Sequence, residues 1–380
     1  MRVLISTLTP YPSGTAHVVH ITATARGFVD AGHETMLVPA QRGPGWPAAP
    51  GGGTAEPELP FRVHTLAGRD YRGMSLVNAP RLRRLAARAR PDLCFADDVR
   101  SGLALTSGGH PTIVELHTLH LLSSRLSRIA LRGLLQRPSL RRIITISEQL
   151  RDDLVARTGV DASRVRVVPE AARPRADAEL DADPPAWLRP HMRPGALQVG
   201  FTGSLYTGRG AELLTTLARR LPDIDVHLAG GPADAVDELR AAPDLPPNLH
   251  VHGLRPLADA EALQVAVDVL IAPYSTYVGA PGGVDISRWF SPMKMFEYLA
   301  SGRPMVCADL PVLREVLTDG RTALLVEPSD TDAWVSAIAR LRDDPALRAS
   351  IGAAGRALHA ERHTWEARTA ALIAAADLDG

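Results

Sequence analysis

The chain has 380 residues, 42 basic against 42 acidic side chains, 45% apolar residues and two cysteines. That length suits about two domains with cores of their own, and the apolar share excludes a disordered chain. No run nears the roughly 18 consecutive apolar residues of a membrane span, MRVLISTLTP is no secretion signal, and Cys94 and Cys307 fit neither a metal spacing nor a disulfide framework, so a soluble cytoplasmic protein is expected.

Short apolar runs alternate with segments of helical period along the whole sequence. Strands are predicted at 3–6, 35–38, 62–66, 92–95, 112–116, 143–146 and 166–168, and then at 199–202, 226–229, 250–252, 269–272, 305–307 and 323–326. Between the first two, Val18, Ile21, Ala25, Phe28 and Val29 recur at helical spacing before Gly32. Apolar, non-alternating strands separated by helices predict parallel sheets covered on both faces, which bind ligands at the carboxyl ends of their strands. The alternation breaks at 42–60, a Pro/Gly loop, and at 173–195, rich in Pro, Asp and Arg. The reading is an α/β protein of two Rossmann-like domains, 1–172 and 196–358. Residues 173–195 form a linker, and a C-terminal helix in 359–380 packs back on the first domain.

Zero net charge hides an asymmetry. Residues 1–175 carry 24 basic and 14 acidic side chains, and residues 176–380 carry 18 and 28. Of the 42 basic residues 41 are arginine, and the only lysine is Lys294. A nucleic-acid partner is not expected. Arg125, Arg128 and Arg132 lie roughly on one helical face within a basic stretch, a pattern of membrane-surface helices or of docking for an anionic partner.

Three segments have the residue types that chemistry needs. Glu115-Leu116-His117-Thr118-Leu119-His120 closes a first-half strand, where His117 can donate to a sugar hydroxyl; His17, His20, His33 and His120 read as structural histidines. Gly200-Phe201-Thr202-Gly203-Ser204-Leu205-Tyr206-Thr207-Gly208-Arg209-Gly210 runs from a strand into a helix. Its glycines let backbone approach an anion, and Arg209 can grip a phosphate. It lacks the G-K-[ST] ending of a Walker A loop, and no G-x-G-x-x-G follows the first strand, which counts against a nicotinamide dehydrogenase. In Ser291-Pro292-Met293-Lys294-Met295-Phe296-Glu297 a helix starts at the proline, so free amides and an ammonium meet at one place suited to a diphosphate. Glu297, three residues on, lies on the same side and can accept from a ribose diol.

Together these segments resemble the family-4 retaining glycosyltransferases of the GT-B fold over nearly the whole chain. The matching motifs, in order, include Pro12-Ser13-Gly14-Thr15, Ala31-Gly32-His33-Glu34, Pro91-Asp92-Leu93, Glu115-Leu116-His117, Ser147-Glu148-Gln149-Leu150, Leu228-Ala229-Gly230-Gly231-Pro232 and Val269-Leu270-Ile271-Ala272-Pro273. The most specific is the block 291–304, similar to the family's "SP-x-K-x-FEY-x-A-x-G-x-P" variant. Two departures stand out. Trp289 replaces the first of two carboxylates that family members often carry eight residues apart, and Ser204 and Arg209 stand where the family often has Arg and Lys.

The resemblance implies two domains facing across a cleft and retaining transfer from a UDP- or GDP-linked sugar to a small-molecule, glycan or lipid acceptor. It implies no metal and no cofactor. On that basis His117, Lys294 and Arg209 are the expected catalytic residues. Gly14, Gly203, Ser204, Arg209, Gly253, Leu254, Arg255, Ser291, Pro292, Met293, Lys294 and Glu297 would bind the nucleotide and diphosphate, and His117, Gly282 and Gly283 the donor sugar. A nucleotide-sugar epimerase or hydrolase of the same fold, or a non-catalytic binding protein, are the alternatives. Peripheral membrane contact through the basic first domain is a further expectation.

Overall fold

The computed structural model describes residues 1–12, 16–40, 59–66, 74–280 and 283–376. These form two units, one of Met1–Glu170 with the segment from Trp365, the other of Ala171–Thr364. Gly14 and Gly282 lie outside the described residues, as does most of the 42–60 loop.

The first unit holds seven strands: β1 Arg2–Pro10, β2 Glu34–Ala40, β3 Arg62–Val63, β4 Leu93–Ala96, β5 Thr112–Leu116, β6 Leu140–Thr145 and β7 Val165–Val167. They make one parallel sheet in the order β3-β2-β1-β4-β5-β6-β7. Because β4 is buried at every position, its sequence reads as a continuous apolar run rather than an alternating one. Asp98 and Ser147 cap the helices that follow β4 and β6 by accepting from backbone amides inside the first turn. The core gathers Ile5, Phe28, Phe95 and Ile113 with Leu372 and Ala376 of the last helix, Trp365–Ala376.

The second unit holds β8 Leu197–Thr202, β9 Ile224–Ala229, β10 Leu249–Gly253, β11 Val269–Ala272, β12 Gly279–Ala280, β13 Val284–Asp285, β14 Met305–Ala308 and β15 Leu324–Val326. Six of them form a parallel sheet in the order β10-β9-β8-β11-β14-β15, and β12 and β13 pair as an antiparallel hairpin. The six-strand order is that of a dinucleotide-binding sheet, which reverses direction between its first and fourth strands, here β8 and β11. Phe201, Leu228, Ile271, Phe296 and Trp334 fill its core.

The predicted strands recur with shifted ends, and the β12–β13 hairpin was not predicted. Residues 173–195 correct the expected domain plan, since they belong to the second unit instead of linking two domains. Leu188 is fully buried in that unit's core, Arg175 pairs with Glu261 at 2.9 Å, and Arg193 pairs with the buried Asp225 at 2.7 Å. The helix Pro345–Arg362 runs through residue 359, and the chain leaves the second unit only after Thr364.

Candidate functional site

In the second unit the crevice between β8 and β11 is where the sheet's geometry leaves room for a ligand. β8 is followed by Gly203, at φ 141°, a backbone conformation that L side chains rarely adopt. A Cβ there would stand 2.2 Å from Lys294 Nζ, so the lysine occupies the space that glycine leaves open. The loop beyond is tied to the segment after β11. Ser275 N donates to Gly208 O at 3.0 Å, Gly279 N to Thr207 O at 3.0 Å, and Arg209 Nη2 to Gly279 O at 3.4 Å.

The helix Met293–Ala300 starts from Pro292, and no side chain caps its first amides. Lys294 projects from its first turn, with Nζ 4.2 Å from the Phe201 ring centroid and 5.6 Å from that of Tyr274. Among the described residues that buried nitrogen has no hydrogen-bond partner, and neither does the buried Nε of Arg209. Burial, then the Arg209 charge, brings the Lys294 pKa down to about 7. Glu297 accepts from Gln264 Nε2 at 2.9 Å, and Gln264 is oriented by Arg175 Nη2 at 3.0 Å. Burial raises the Glu297 pKa.

The structure therefore gathers Gly203, Arg209, Lys294 and Glu297 at one switch point, with Ser291, Pro292 and Met293 leading into the same helix. Ser204 follows Gly203 on the loop. Gly253 ends β10, and its carbonyl accepts from Gly230 N at 2.7 Å. A Cβ on Gly230 would strike Gly203 O at 2.0 Å, so glycines of three adjacent strand ends lie backbone against backbone. Leu254 is 66% exposed, and the Arg255 guanidinium lies 4.3 Å over the Trp187 ring. Gly283 sits in the β12–β13 turn at φ 73° and accepts from Tyr277 Oη at 3.1 Å.

A second polar cluster occupies the equivalent point of the first unit, at the carboxyl ends of β1, β4 and β5. Asp97 is buried and accepts from Thr7 Oγ1 at 2.7 Å, His17 Nε2 at 2.5 Å and His117 Nε2 at 3.1 Å. Deeper, His20 bridges Glu170 at 2.8 Å and Glu115 at 3.1 Å, and Arg368 pairs with Glu115. Burial alone would lower the His20 pKa, but Glu170 and Glu115 outweigh it and raise the value to about 9. Burial likewise opposes ionisation of Glu115, while Arg368 and His20 hold it down to about 2. His117 is also raised: burial opposes the charge, and the Asp97 hydrogen bond together with the Glu115 and Asp97 charges outweighs it.

His17 and His20, read from the sequence as ordinary structural histidines, thus share carboxylates with His117. Donor atoms of His20, Asp97, Glu115 and His117 lie within 4.8 Å of one another, a set able to hold a metal ion, whereas the sequence reading expected none. Arg368 beside Glu115 opposes a second cation there. Asp97, Gln264 and Tyr274 were not singled out in the sequence. The signal available was their type: polar or hydroxyl-bearing residues one or two positions after the apolar runs of β4 and β11, or within a buried helix face.

Among family models, one described as "Glycosyltransferase Family 4" matches residues 17–174 and one described as "Glycosyl transferase-like" matches 209–374. A D-inositol 3-phosphate glycosyltransferase of Mycolicibacterium paratuberculosis is 27% identical over 280 residues, covering 68% of this chain and 60% of that protein. A GDP-mannose-dependent alpha-(1-6)-phosphatidylinositol monomannoside mannosyltransferase of Mycolicibacterium smegmatis is 32% identical over 161 residues, 42% of this chain and 41% of the other. The chain spans between about half and three fifths of the length of the first curated relatives it matches. Among solved structures, HepE of Anabaena in complex with UDP superposes with a TM-score of 0.73 at 15% identity, covering 98% of this chain and 99% of that one. A sucrose-phosphate synthase from Thermosynechococcus elongatus does so with a TM-score of 0.73 at 17% identity, covering 98% of each. At these identities the likeness is one of fold.

Proposed function

We propose that this chain, which glycosyltransferase family models match over residues 17–174 and 209–374, acts as a family-4 glycosyltransferase of the GT-B fold that moves a sugar from a UDP- or GDP-linked donor to an acceptor hydroxyl with retention and without a metal. The observation that supports this best is the Lys294 ammonium at the β8–β11 switch point, whose buried Nζ has no hydrogen-bond partner among the described residues, beside the equally unpartnered Nε atom of Arg209. A buried cation with no acceptor is costly unless a ligand supplies one. A diphosphate does so, and its charge grows as the glycosidic bond breaks, so these donors hold the transition state more strongly than the ground state.

In this reading Lys294, Arg209, the amides of Ser291–Lys294 and the backbone at Gly203 and Ser204 take the diphosphate. Glu297, oriented by Gln264, holds the ribose, and Gly253, Leu254 and Arg255 meet the base. His117, held by Asp97, touches the transferred sugar. The relatives' names make a phosphorylated cyclitol the first acceptor to try. A lipid-borne acceptor has its own support. The helix Arg125–Leu135 leaves Leu126 73% and Ile129 55% exposed beside Arg125, Arg128 and Arg132, the composition of a helix that lies on an anionic membrane surface. No helix among the described residues is long and apolar enough to cross a membrane.

The test is a thermal-shift panel of UDP-, GDP-, ADP- and TDP-sugars, because a ligand that binds only the folded state raises the melting point. Turnover is then followed with the stabilising donor, with and without inositol phosphate. Release of free or epimerised sugar without acceptor would favour the hydrolase or epimerase alternative, and stabilisation without turnover a binding protein. His117→Ala is expected to lower turnover more than it weakens binding of the bare nucleoside diphosphate; equal losses would make His117 structural.

A further inference from the structure

Tyr274 follows β11 after Pro273, on the far side of the switch point from Gly203. Its side chain is only 2% exposed, yet its hydroxyl has no hydrogen-bond partner among the described residues. It shares that state with Lys294 Nζ and Arg209 Nε, and the three groups are neighbours. The Tyr274 ring centroid lies 5.6 Å from Lys294 Nζ and 5.7 Å from the Arg209 guanidinium carbon. Buried hydroxyls almost always find a partner, since an unmade hydrogen bond costs on the order of 1–3 kcal/mol. Three such vacancies at one strand-end crevice are more economically explained by one shared ligand than by three separate faults.

The surroundings fix where the ring stands. The ring packs edge-to-face on Phe290 at 4.8 Å, immediately before the Ser291-Pro292 entry to the lysine's helix. Pro273 blocks any Cβ on Gly210, at 2.3 Å, so the Arg209 loop rests against the segment that carries Tyr274. The backbone bonds from Ser275 to Gly208 and from Gly279 to Thr207 lock the same two segments together. Tyr274, Arg209 and Lys294 therefore form one preorganised unit, and a phenol needs no counter-ion to wait there. Burial pushes the phenol pKa well up, and the Arg209 charge pulls it partly back. The hydroxyl stays protonated and can only donate to an anion.

We infer that Tyr274 is a diphosphate-binding residue, its hydroxyl donating a hydrogen bond to a phosphate oxygen that Lys294 and Arg209 also meet. The inference rests on the reading of this crevice as a diphosphate site. It adds a neutral donor that distinguishes a diphosphate, with several acceptor oxygens, from a smaller anion.

The test is Tyr274→Phe, which removes one oxygen and keeps the ring. Affinities for UDP and GDP are measured by isothermal titration on wild type, Tyr274→Phe and Lys294→Met, with melting points of the unliganded proteins alongside. The expected result is at least about tenfold weaker binding of whichever nucleotide the wild type takes, the lower end for a hydrogen bond to a charged group. The unliganded Tyr274→Phe protein should melt no lower than wild type, since the lost hydroxyl was unsatisfied. Nucleotide affinity within twofold of wild type would overturn the inference. So would a melting point several degrees lower, which would show a hydroxyl already bonded within the fold. If Lys294→Met weakens binding while Tyr274→Phe does not, the site stands and the tyrosine falls. If wild type binds neither nucleotide, the diphosphate reading itself fails.

Discussion

Lys294 is held in a state that its ligand should change. With its pKa at about 7, a large fraction is uncharged in the free protein at neutral pH, and a diphosphate would favour the charged form. Binding should therefore take up a proton. The sign follows: below pH 7 the ammonium is already present, and as pH rises through 7 the affinity for the nucleoside diphosphate should fall, by up to tenfold per pH unit. Titration calorimetry in buffers of different ionisation enthalpy at pH 8 should show net proton uptake in wild type and none in Lys294→Met. Lys294→Arg should not rescue turnover, because the space beside Gly203 is filled by a single ammonium. A planar guanidinium cannot aim its donors in the same way, and a loss of at least about tenfold is expected. Wild-type turnover in Lys294→Arg would leave the site resting on Arg209 and backbone amides. At this scale the sequence was informative where a residue type was rare, as for the lone lysine. It was mute where a common type, such as Tyr274 or Asp97, gains its meaning from partners distant in sequence.

The elements show the same division. Strands buried on both faces announce themselves as apolar runs, so both parallel sheets were legible. The two-residue strands β12 and β13 have too little pattern to read. Residues 173–195 were misread because Pro, Asp and Arg without periodicity resemble a linker. In the structure Arg193 answers Asp225 on the second sheet, Arg173 and Arg175 answer Glu261 on the helix Leu257–Ala266, and the segment covers an imidazole cluster at that sheet's edge. His227 on β9 and His250 and His252 on β10 stack with centroids 5.0–6.4 Å apart, and His191 of the covering segment meets both His250 and His252. Trp187 packs on His252, Arg255 lies over Trp187, and Asp225 receives Arg193 and His250. Burial first, then the neighbouring imidazoles, brings His227 and His252 down to about 3. Both bind fewer protons folded than unfolded between that value and the ordinary 6.5. Their contribution to stability is complete above pH 6.5 and is lost as pH falls below it, by up to about 1.4 kcal/mol per pH unit for each. Urea midpoints of the second unit should therefore drop between pH 6.5 and 5, and His252→Gln should flatten that slope. An unchanged slope would place the acid sensitivity elsewhere.

At the scale of the molecule, the chain begins and ends in one unit and builds the other in between. The last helix, Trp365–Ala376, belongs to the first unit, where its polar partners lie some 200 to 350 residues earlier in the chain. Arg368 carries that connection. It is 3% exposed, pairs with Glu115, donates to Pro169 O at 3.0 Å, and reaches Thr24 Oγ1 at 3.4 Å. The neighbouring Thr369 hydroxyl would lie 2.2 Å from any Cβ on Gly27, so the two helices approach as closely as their side chains allow. Arg368→Met would leave Glu115 buried with only His20 and His117 to balance it beside Glu170, and removing one partner of a buried pair costs about 3–5 kcal/mol. That loss should appear in the first unit's unfolding transition, while the transition raised by nucleotide, which belongs to the second unit, keeps its midpoint. Adding Glu115→Gln should restore much of the loss, since the uncompensated charge and not the missing contact carries most of it. If the double variant is as unstable as the single one, the helix is held by its apolar face alone. Leu372 and Ala376 would then be the residues that close the fold.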